Sequence, residues 1–317
     1  MGSSLQGSAG RSSRALGVAM GIVAGVSFGF GGAISQILGR QGFTVFDIAT
    51  AQFFCAVVIL GVLTLFTRRA HFAPKEVAML IGLGAVSTIS SITYYLAIDL
   101  LSVATAVAIQ FQYVWMTIVL QLVVEKKKPS KRIIVIVTLV VVGTLFGSGL
   151  ADEVLSGGLT ADPLGIACAL VCALFYALFI FANGRVAPDQ PPIARTFVLV
   201  IGGFIVTSAI GWNFYTQPDL VVSLLPGGVV MAVVMSILPV LCIVGASLRL
   251  PSGIVAVLTS TELPAAVVAG VLLLGETVTP LVIAGVVMIL AGVALSEVRG
   301  SEVESDEGAA MEAPSGA

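Results

Sequence analysis

The sequence contains about ten stretches that are each long and apolar enough to cross a lipid bilayer as a helix. A membrane-spanning helix needs about 20 mostly apolar residues. Charged residues and prolines fill the breaks between the stretches, as in the connection Lys126-Lys127-Lys128-Pro129. The pattern predicts an all-α polytopic membrane protein of ten transmembrane helices. The stretches cover residues 16–38, 46–66, 75–98, 101–123, 131–149, 162–183, 192–212, 224–248, 251–274 and 279–297.

The composition excludes a water-soluble fold. Of the 317 residues, 58% are hydrophobic and 10% are charged, whereas soluble domains have about 25% charged residues. The mean hydropathy is +1.10, so there are too few polar side chains to cover such a core. The apolar faces are expected to contact membrane lipids. No nucleic-acid partner is expected.

The basic residues predict the orientation of the ten helices. With a cytoplasmic N-terminus, every Lys and Arg residue except Arg40 falls in a terminus or a connection on the cytoplasmic side, or within the first four residues of a stretch that begins there. This bias is the positive-inside pattern of membrane proteins. The sequence therefore predicts a multi-pass protein of the plasma (inner) membrane with both termini in the cytoplasm. It also predicts a cytoplasmic N-terminal tail at residues 1–15 and an acidic, disordered C-terminal tail at residues 298–317.

The two halves of the sequence resemble each other. The segment LGVAMGIVAG at residues 16–25 matches LGIACALVCA at residues 164–173, and other pairs recur at nearly the same offset. Each unit holds five predicted spans, an odd number, so the second unit is expected to insert upside down. Inverted repeats are typical of secondary transporters that work by alternating access. The pattern predicts a first repeat, an extracytoplasmic linker and a second repeat at residues 16–149, 150–161 and 162–297.

The second repeat carries a pattern that resembles a known transporter family. Residues 250–277 read LPSGIVAVLTSTELPAAVVAGVLLLGET, with a small-residue opening, a proline in mid-helix and Gly-Glu near the end. Together with the two five-helix units, this pattern is similar to the EamA family of the drug/metabolite transporter superfamily. The resemblance implies movement of small metabolites, amino acids or drugs through a central cavity walled partly by the fourth and ninth helices. The first copy, at residues 100–126, lacks the proline and the glycine.

Glu262 carries the strongest functional signal in the sequence. It is the only ionisable residue between Ser252 and Leu274, and its place halfway along the ninth stretch puts it near the bilayer midplane. A charged side chain there costs about 3 kcal/mol on insertion scales, so it should face a cavity or a partner. We expect Glu262 to bind and release a proton or to hold a cation. The alternative is a structural role, in which a protonated Glu262 joins two helices by a hydrogen bond.

Pro264 predicts a bend in the ninth helix beside Glu262. Proline lacks the amide hydrogen that would bond to the carbonyl of Ser260, one turn earlier. A polar break of this kind is tolerated in a membrane only where protein or water satisfies it. We therefore expect Pro264 to act as a hinge. The fourth helix has Val114 at the matching position, and we expect it to run uninterrupted and to bend less.

Other polar and aromatic residues are predicted to line the central cavity with Glu262. At an offset of 150 positions, Gln112 matches Glu262 and shares a helix face with Trp115, whereas Gln110 points to the opposite side. Spacing alone leaves both glutamines open, and we expect Gln112 to face the cavity. The expected substrate-binding residues besides Glu262 are Gln112, Thr259, Trp115, Ser91, Tyr94 and Tyr176.

Glycine recurs at every fourth position of the first stretch. The ladder consists of Gly17, Gly21, Gly25 and Gly29. Small residues at this spacing allow two membrane helices to approach closely. The ladder predicts tight packing of the first helix on a partner helix and carries no information about ligands.

These features predict a secondary active transporter that moves a small organic metabolite, an amino acid or a related compound. Efflux is the expected direction, and protons are expected to couple through Glu262. Two alternatives stay open. One is an organic-cation or drug transporter that uses Glu262 as the counter-charge, and the other is a passive uniporter or exchanger in which Glu262 is structural.

Enzyme activity is not expected. The segment GVSFG at residues 25–29 fits a hydrolase motif, but its glycines belong to the ladder and the single histidine, His71, lies in a connection. No catalytic residue, cofactor or metal site is predicted. The sequence has no phosphate-binding loop, so ATP is not the expected energy source. A monomer is expected to suffice for a cavity.

Overall fold

The computed structural model describes residues 2–67, 70–101, 103–126, 130–147, 150–155, 162–275 and 277–298, and every regular element in these ranges is helical. The helices of the first half are α1 (Gly2–Arg40), α2 (Val45–Leu65), α3 (Pro74–Leu100), α4 (Val103–Gln110), α5 (Tyr113–Glu125), α6 (Lys131–Gly147) and α7 (Leu150–Leu155). Those of the second half are α8 (Pro163–Asn183), α9 (Pro192–Ile210), α10 (Asn213–Thr216), α11 (Pro218–Met231), α12 (Leu238–Ser247), α13 (Ser252–Thr259), α14 (Glu262–Ala269) and α15 (Pro280–Val298).

Some predicted features lie outside the described residues. They are the acidic tail beyond Val298, part of the linker between the repeats, and the basic residues Arg68, Arg69, Lys127 and Lys128. The N-terminal tail is largely described and is helical. α1 begins at Gly2, so the first helix extends through the residues predicted to form the tail.

Local sequence signals start several of these helices. Thr44 caps α2, since its hydroxyl accepts a hydrogen bond from the Asp47 amide at 3.2 Å and the Asp47 carboxylate accepts one from the Thr44 amide at 3.3 Å. This reciprocal arrangement satisfies amides that have no partner in a first helical turn. Asp162 caps α8 by accepting from the amide of Leu164 at 2.7 Å. A proline follows it at the first helical position, where a missing amide hydrogen is harmless.

The lengths and composition of the helices are those of a membrane protein. Seven helices of the described residues are long and apolar enough to cross a membrane: Ser12–Arg40, Val45–Leu65, Pro74–Leu100, Pro163–Asn183, Pro192–Ile210, Pro218–Ser247 and Ser252–Leu274. Two shorter apolar helices cover Tyr113–Glu125 and Pro280–Leu295, and α6 covers most of the fifth predicted stretch. The protein is therefore an integral multi-pass membrane protein.

The two halves are interleaved, because helices of the first half pack mainly on helices of the second. α3 lies on α8 and α9, α6 lies on α15, and α1 lies on α12, α13 and α14. α2 lies on α9 and α11, and α5 lies on α8 and α13. The contacts follow the symmetry of the two repeats. Helices α1 and α3 of the first repeat correspond to α8 and α12 of the second, so the contact of α3 with α8 has its counterpart in the contact of α12 with α1. The main apolar core accordingly contains residues of both halves.

The glycine ladder of α1 packs against the ninth predicted helix, which confirms the prediction of close packing. A Cβ atom added at Gly21 would lie 2.8 Å from the Leu258 Cβ. One added at Gly25 would lie 2.7 Å from the Thr259 carbonyl oxygen, and one at Gly29 would lie 2.7 Å from the backbone nitrogen of Ala266. These separations are shorter than normal contacts, so a side chain would push the two helices apart.

The fourth predicted helix is broken, and the expectation that it runs uninterrupted is wrong. α4 ends at Gln110 and α5 begins at Tyr113, although no proline or glycine lies between them. In the ninth helix, α13 ends at Thr259 and α14 begins at Glu262. The two breaks lie at nearly equivalent positions of the repeats. Because the local sequence of the fourth helix contains no breaker, we attribute its break to packing between helices: the Tyr113 hydroxyl shares a hydrogen bond with the Thr259 hydroxyl over 3.2 Å.

Pro264 explains the break in the ninth helix. It has no amide hydrogen, so the Ser260 carbonyl accepts from the Leu263 amide instead, at 3.3 Å. The Ser260 hydroxyl donates to the Val257 carbonyl at 2.6 Å. Neighbouring protein groups thus satisfy the backbone at the break, as a membrane interior requires.

Candidate functional site

A central cavity lies within the bundle, with walls from both repeats. Four of the predicted site residues line it together: Glu262, Ser91, Tyr94 and Tyr176. Glu262 belongs to the first turn of α14, Ser91 and Tyr94 are one turn apart on α3, and Tyr176 is on α8. Further serines on the wall, Ser87, Ser90 and Ser236, make it more polar than its surroundings.

Among the described residues that line this cavity, Glu262 is the one with a carboxylate. Its side chain is partly buried and makes no hydrogen bond or ion pair with any residue that the structure describes. It stands at the N-terminal end of α14, where the helix dipole favours a negative charge. Tyr94, Tyr113 and Tyr176 lie within electrostatic range of it. The carboxylate is thus free to receive a proton or a cationic group.

An aromatic cluster forms the wall next to Glu262. The ring centroids of Tyr113 and Tyr176 lie 4.6 Å apart with the planes at 75°, and Phe28 meets Tyr176 edge-on at 6.1 Å. Tyr176 also stacks on Phe179 at 6.3 Å. Edge-to-face contacts of this kind hold rings in defined orientations. Ring faces beside a carboxylate can also receive an organic cation.

Thr259 lies behind the aromatic wall and not on the cavity surface. It is fully buried, and its hydroxyl bonds to the Val255 carbonyl at 3.0 Å as well as to the Tyr113 hydroxyl. These contacts hold the Tyr113 ring in place. The structure therefore supports a positioning role for Thr259 and does not place it in contact with a solute in the cavity.

We expected Gln112, and not Gln110, to face the cavity, and this prediction is wrong. Gln110 lines the cavity and is 7% exposed. Gln112 lies on the other side, where its Oε1 accepts from the Trp115 Nε1 at 2.7 Å. Trp115 is 38% exposed on the outer surface of the bundle and does not line the cavity. Although Gln112 matches Glu262 in sequence, Glu262 lines the cavity and Gln112 does not.

Sequence reasoning missed a polar chain that crosses from α2 to the cavity. The Gln52 Nε2 donates to the Ser236 hydroxyl at 2.8 Å, and the Tyr95 hydroxyl donates to the Gln52 Oε1 at 3.4 Å. Ser236 and Tyr95 both line the cavity. Ser236 lies in a π-helical turn, Ala232–Ile237, a distortion frequent at functional sites. The signal in the sequence was a lone glutamine in the apolar second stretch.

Two further cavities follow the central one toward one end of the bundle. The first shares the lining residues Phe28, Tyr94 and Glu262 with the central cavity. The second, a vestibule, shares Gln36 and Ile98 with the first. The vestibule is walled by parts of residues 39–48, 98–99 and 210–220, which we call the open end. Glu262 therefore lines both the central cavity and its neighbour on the side of the open end, and we call this series of cavities the route.

The opposite end of the bundle, which we call the closed end, contains the connections 70–73, 184–191 and 248–251. The Gln190 side chain there donates to the His71 carbonyl at 2.8 Å, which joins two of them. Phe179, Leu199 and Val240 form an apolar floor between the closed end and the cavity.

The charged residues along the three cavities are all acidic. Asp47 and Asp99 line the vestibule, and Glu262 lines the two inner cavities. No Lys or Arg is among the described residues that line them. A cleft with one sign of charge raises the local concentration of the opposite charge. The charged side chains that line these cavities would therefore favour cations over anions.

Comparison with known proteins identifies the family. The EamA-like transporter family matches the sequence twice, over residues 15–148 and 163–297. No match is found among curated proteins. A solved crystal structure of a protein that is 13% identical in sequence superposes with a TM-score of 0.70, covering 92% of this chain and 99% of its own. That likeness shows the fold alone. The two family matches span nearly the whole chain, which therefore belongs to the EamA-like transporter family, a family of membrane transporters of small solutes.

Proposed function

We propose that the protein is a secondary active transporter that exports a small organic metabolite, an amino acid or a related compound, across the plasma membrane. The observation that carries this proposal is the position of Glu262, a carboxylate without a protein partner among the described residues, on the wall shared by the central cavity and the cavity next to it toward the open end. The proposed topology has ten spans with both termini in the cytoplasm, so the closed end is cytoplasmic and the open end is external.

The surroundings of Glu262 support proton coupling. A charged carboxylate without an ion pair is costly inside a membrane, so protonation or a bound ammonium group stabilises the site. In the proposed cycle, Glu262 exchanges a proton with the outside through the vestibule and with the cytoplasm when the floor opens. The acidic wall of the route also supports a second candidate, an organic-cation transporter with Glu262 as the counter-charge.

The two helix breaks are the proposed hinges of alternating access. Spin labels at residues 257 and 271, each measured against residue 135, should show that the half of the ninth helix after Pro264 moves more than the half before it. Pro264→Ala restores a backbone hydrogen bond and should slow turnover several-fold while binding is unchanged. Equal displacement of both halves, or unchanged turnover in the alanine variant, would contradict this proposal.

Purified protein in vesicles tests the proposed function directly. With an imposed pH gradient, radiolabelled amino acids and quaternary ammonium compounds are offered separately, and saturable uptake with counterflow is expected for the amino acids. Saturable uptake of the ammonium compounds alone would favour the organic-cation transporter. Saturable flux that does not depend on the pH gradient would indicate a passive uniporter or exchanger. No flux of any compound would overturn the transporter proposal.

A further inference from the structure

Arg195 is a buried cation that protein groups satisfy only in part. It lies in the first turn of α9 and is 0% exposed. One guanidinium nitrogen donates to the Asn183 carbonyl, whereas Nε and Nη1 have no hydrogen-bond partner among the described residues. No carboxylate forms an ion pair with it in the described part of the chain. Buried arginines are normally paired with an anion or fully hydrogen-bonded.

The position of Arg195 relates it to the transport route. Leu199, which forms part of the cavity floor, lies four residues later on α9, and therefore one turn above Arg195 on the same face. Asn183 stands in the same relation to Phe179, another floor residue, on α8. Arg195 and Asn183 therefore lie directly beneath the floor, on the side of the closed end.

Other buried polar groups at this end of the bundle are also unsatisfied. Both side-chain amide atoms of Asn183, the Thr196 hydroxyl and the Ser247 hydroxyl are buried and have no hydrogen-bond partner among the described residues. Ser247 belongs to the same end of the bundle, since a Cβ added at Gly184 would lie 3.3 Å from its Cβ. The cluster thus offers several N–H and O–H donors together with one positive charge.

A purely structural role explains only part of this arrangement. A cation at the C-terminal end of α8 stabilises the helix through its dipole, and the bond to the Asn183 carbonyl fits that role. A guanidinium has five N–H donors, and the bond to Asn183 accounts for one of them. The unused donors lie in a plane that matches the two oxygens of a carboxylate.

We propose that Arg195 and Asn183 form a carboxylate-binding site that becomes accessible when the cavity floor opens toward the closed end. The proposal rests on the proposed transport function and narrows its substrate class. Glu262 lies above the floor and faces the acidic route, whereas Arg195 lies below the floor. A solute with both groups can pair its ammonium with Glu262 and its carboxylate with Arg195. A simple organic cation has no group that could pair with Arg195.

Cysteine labelling in detergent micelles without phospholipid tests this site without requiring transport. Thr196→Cys is introduced after the four native cysteines are replaced by alanine. A sulfonate methanethiosulfonate reagent should label Cys at position 196 at least about tenfold faster than its trimethylammonium counterpart, because a buried positive charge concentrates anions. Ser236→Cys, on the cavity wall, is the matched control and should show no preference for the sulfonate. Arg195→Lys should keep the preference at position 196, and Arg195→Gln should remove it.

Protection experiments then identify the anion. Sodium acetate should slow labelling at position 196 several-fold, and sodium chloride at equal ionic strength should not. Equal protection by chloride would overturn the carboxylate assignment. Equal rates for the two reagents, labelling by neither, or an unchanged preference in Arg195→Gln would overturn the site itself. Since labelling is independent of the pH gradient, a failure of proton coupling would leave these results unaffected.

Discussion

Glu262→Gln is expected to abolish accumulation of substrate driven by a pH gradient. With one proton per solute, a gradient of one pH unit supports about tenfold accumulation, since a factor of ten corresponds to about 1.4 kcal/mol. The glutamine keeps the size and hydrogen-bonding capacity of the side chain and removes its titration. Accumulation in vesicles should therefore fall to about onefold, while exchange of labelled for unlabelled substrate continues.

Glu125→Gln is the matched control for this experiment. Glu125 lies at the end of α5, where its carboxylate is 3.3 Å from the Arg185 guanidinium, and both side chains are partly exposed. Ion pairs of this kind contribute about 0 to 1 kcal/mol, so the variant should fold and accumulate substrate like the parent. If Glu262→Gln also accumulates substrate like the parent, Glu262 is structural and the coupling proposal is wrong.

Gly29→Ala is expected to produce the largest loss of stability among conservative substitutions in α1. The added Cβ would meet the Glu262 carbonyl oxygen at 2.5 Å and the Ala265 Cβ at 2.7 Å. Backbone at this distance cannot move without displacing α14, and overpacking of a core costs about 1 to 3 kcal/mol. The midpoint of thermal unfolding in detergent should fall clearly below that of the parent, and uptake should fall with it because α14 carries Glu262.

Gly82→Ala is the control for Gly29→Ala. Gly82 also lies inside a helix, α3, but no atom would lie within 4 Å of its added Cβ. Alanine is favoured over glycine in helices by roughly 0.5 to 1 kcal/mol, so this variant should be as stable as the parent or slightly more stable. Equal unfolding temperatures for the two variants would show that the ladder does not hold α1 against α14.

Hydrophobic length alone located most of the helices. The third stretch was predicted at residues 75–98 and is found at Pro74–Leu100, because the same apolar residues that partition into lipid also form the helix. The glycine ladder identified a tight contact because glycines at this spacing mainly serve to let two helices approach closely. These features depend on one segment or on one repeated spacing, so the sequence carries them directly.

The parts of the site that sequence reasoning missed depend on packing between distant segments. The break after Gln110 has no proline or glycine beside it. Packing between helices, which the local sequence does not show, decides which of the two glutamines lines the cavity. Arg195 was counted among the cations of a cytoplasmic connection, yet it is fully buried. Gln52 gained significance only through Ser236, 184 positions away along the chain. Helical periodicity describes the faces of one helix and cannot say which neighbour each face meets.

The interleaving of the two repeats has a consequence for biosynthesis. The Thr261 hydroxyl donates to the Ile22 carbonyl, and these residues are 239 positions apart. At about 5 to 20 residues per second, the ribosome supplies the partner of α1 roughly 12 to 48 s after α1 itself. During that interval the glycine face of α1 has only lipid or the insertion machinery to contact. Assembly of the bundle must therefore wait for the second repeat, and a nascent chain arrested after the first one would present an unpaired helix face to the quality-control proteases of the membrane.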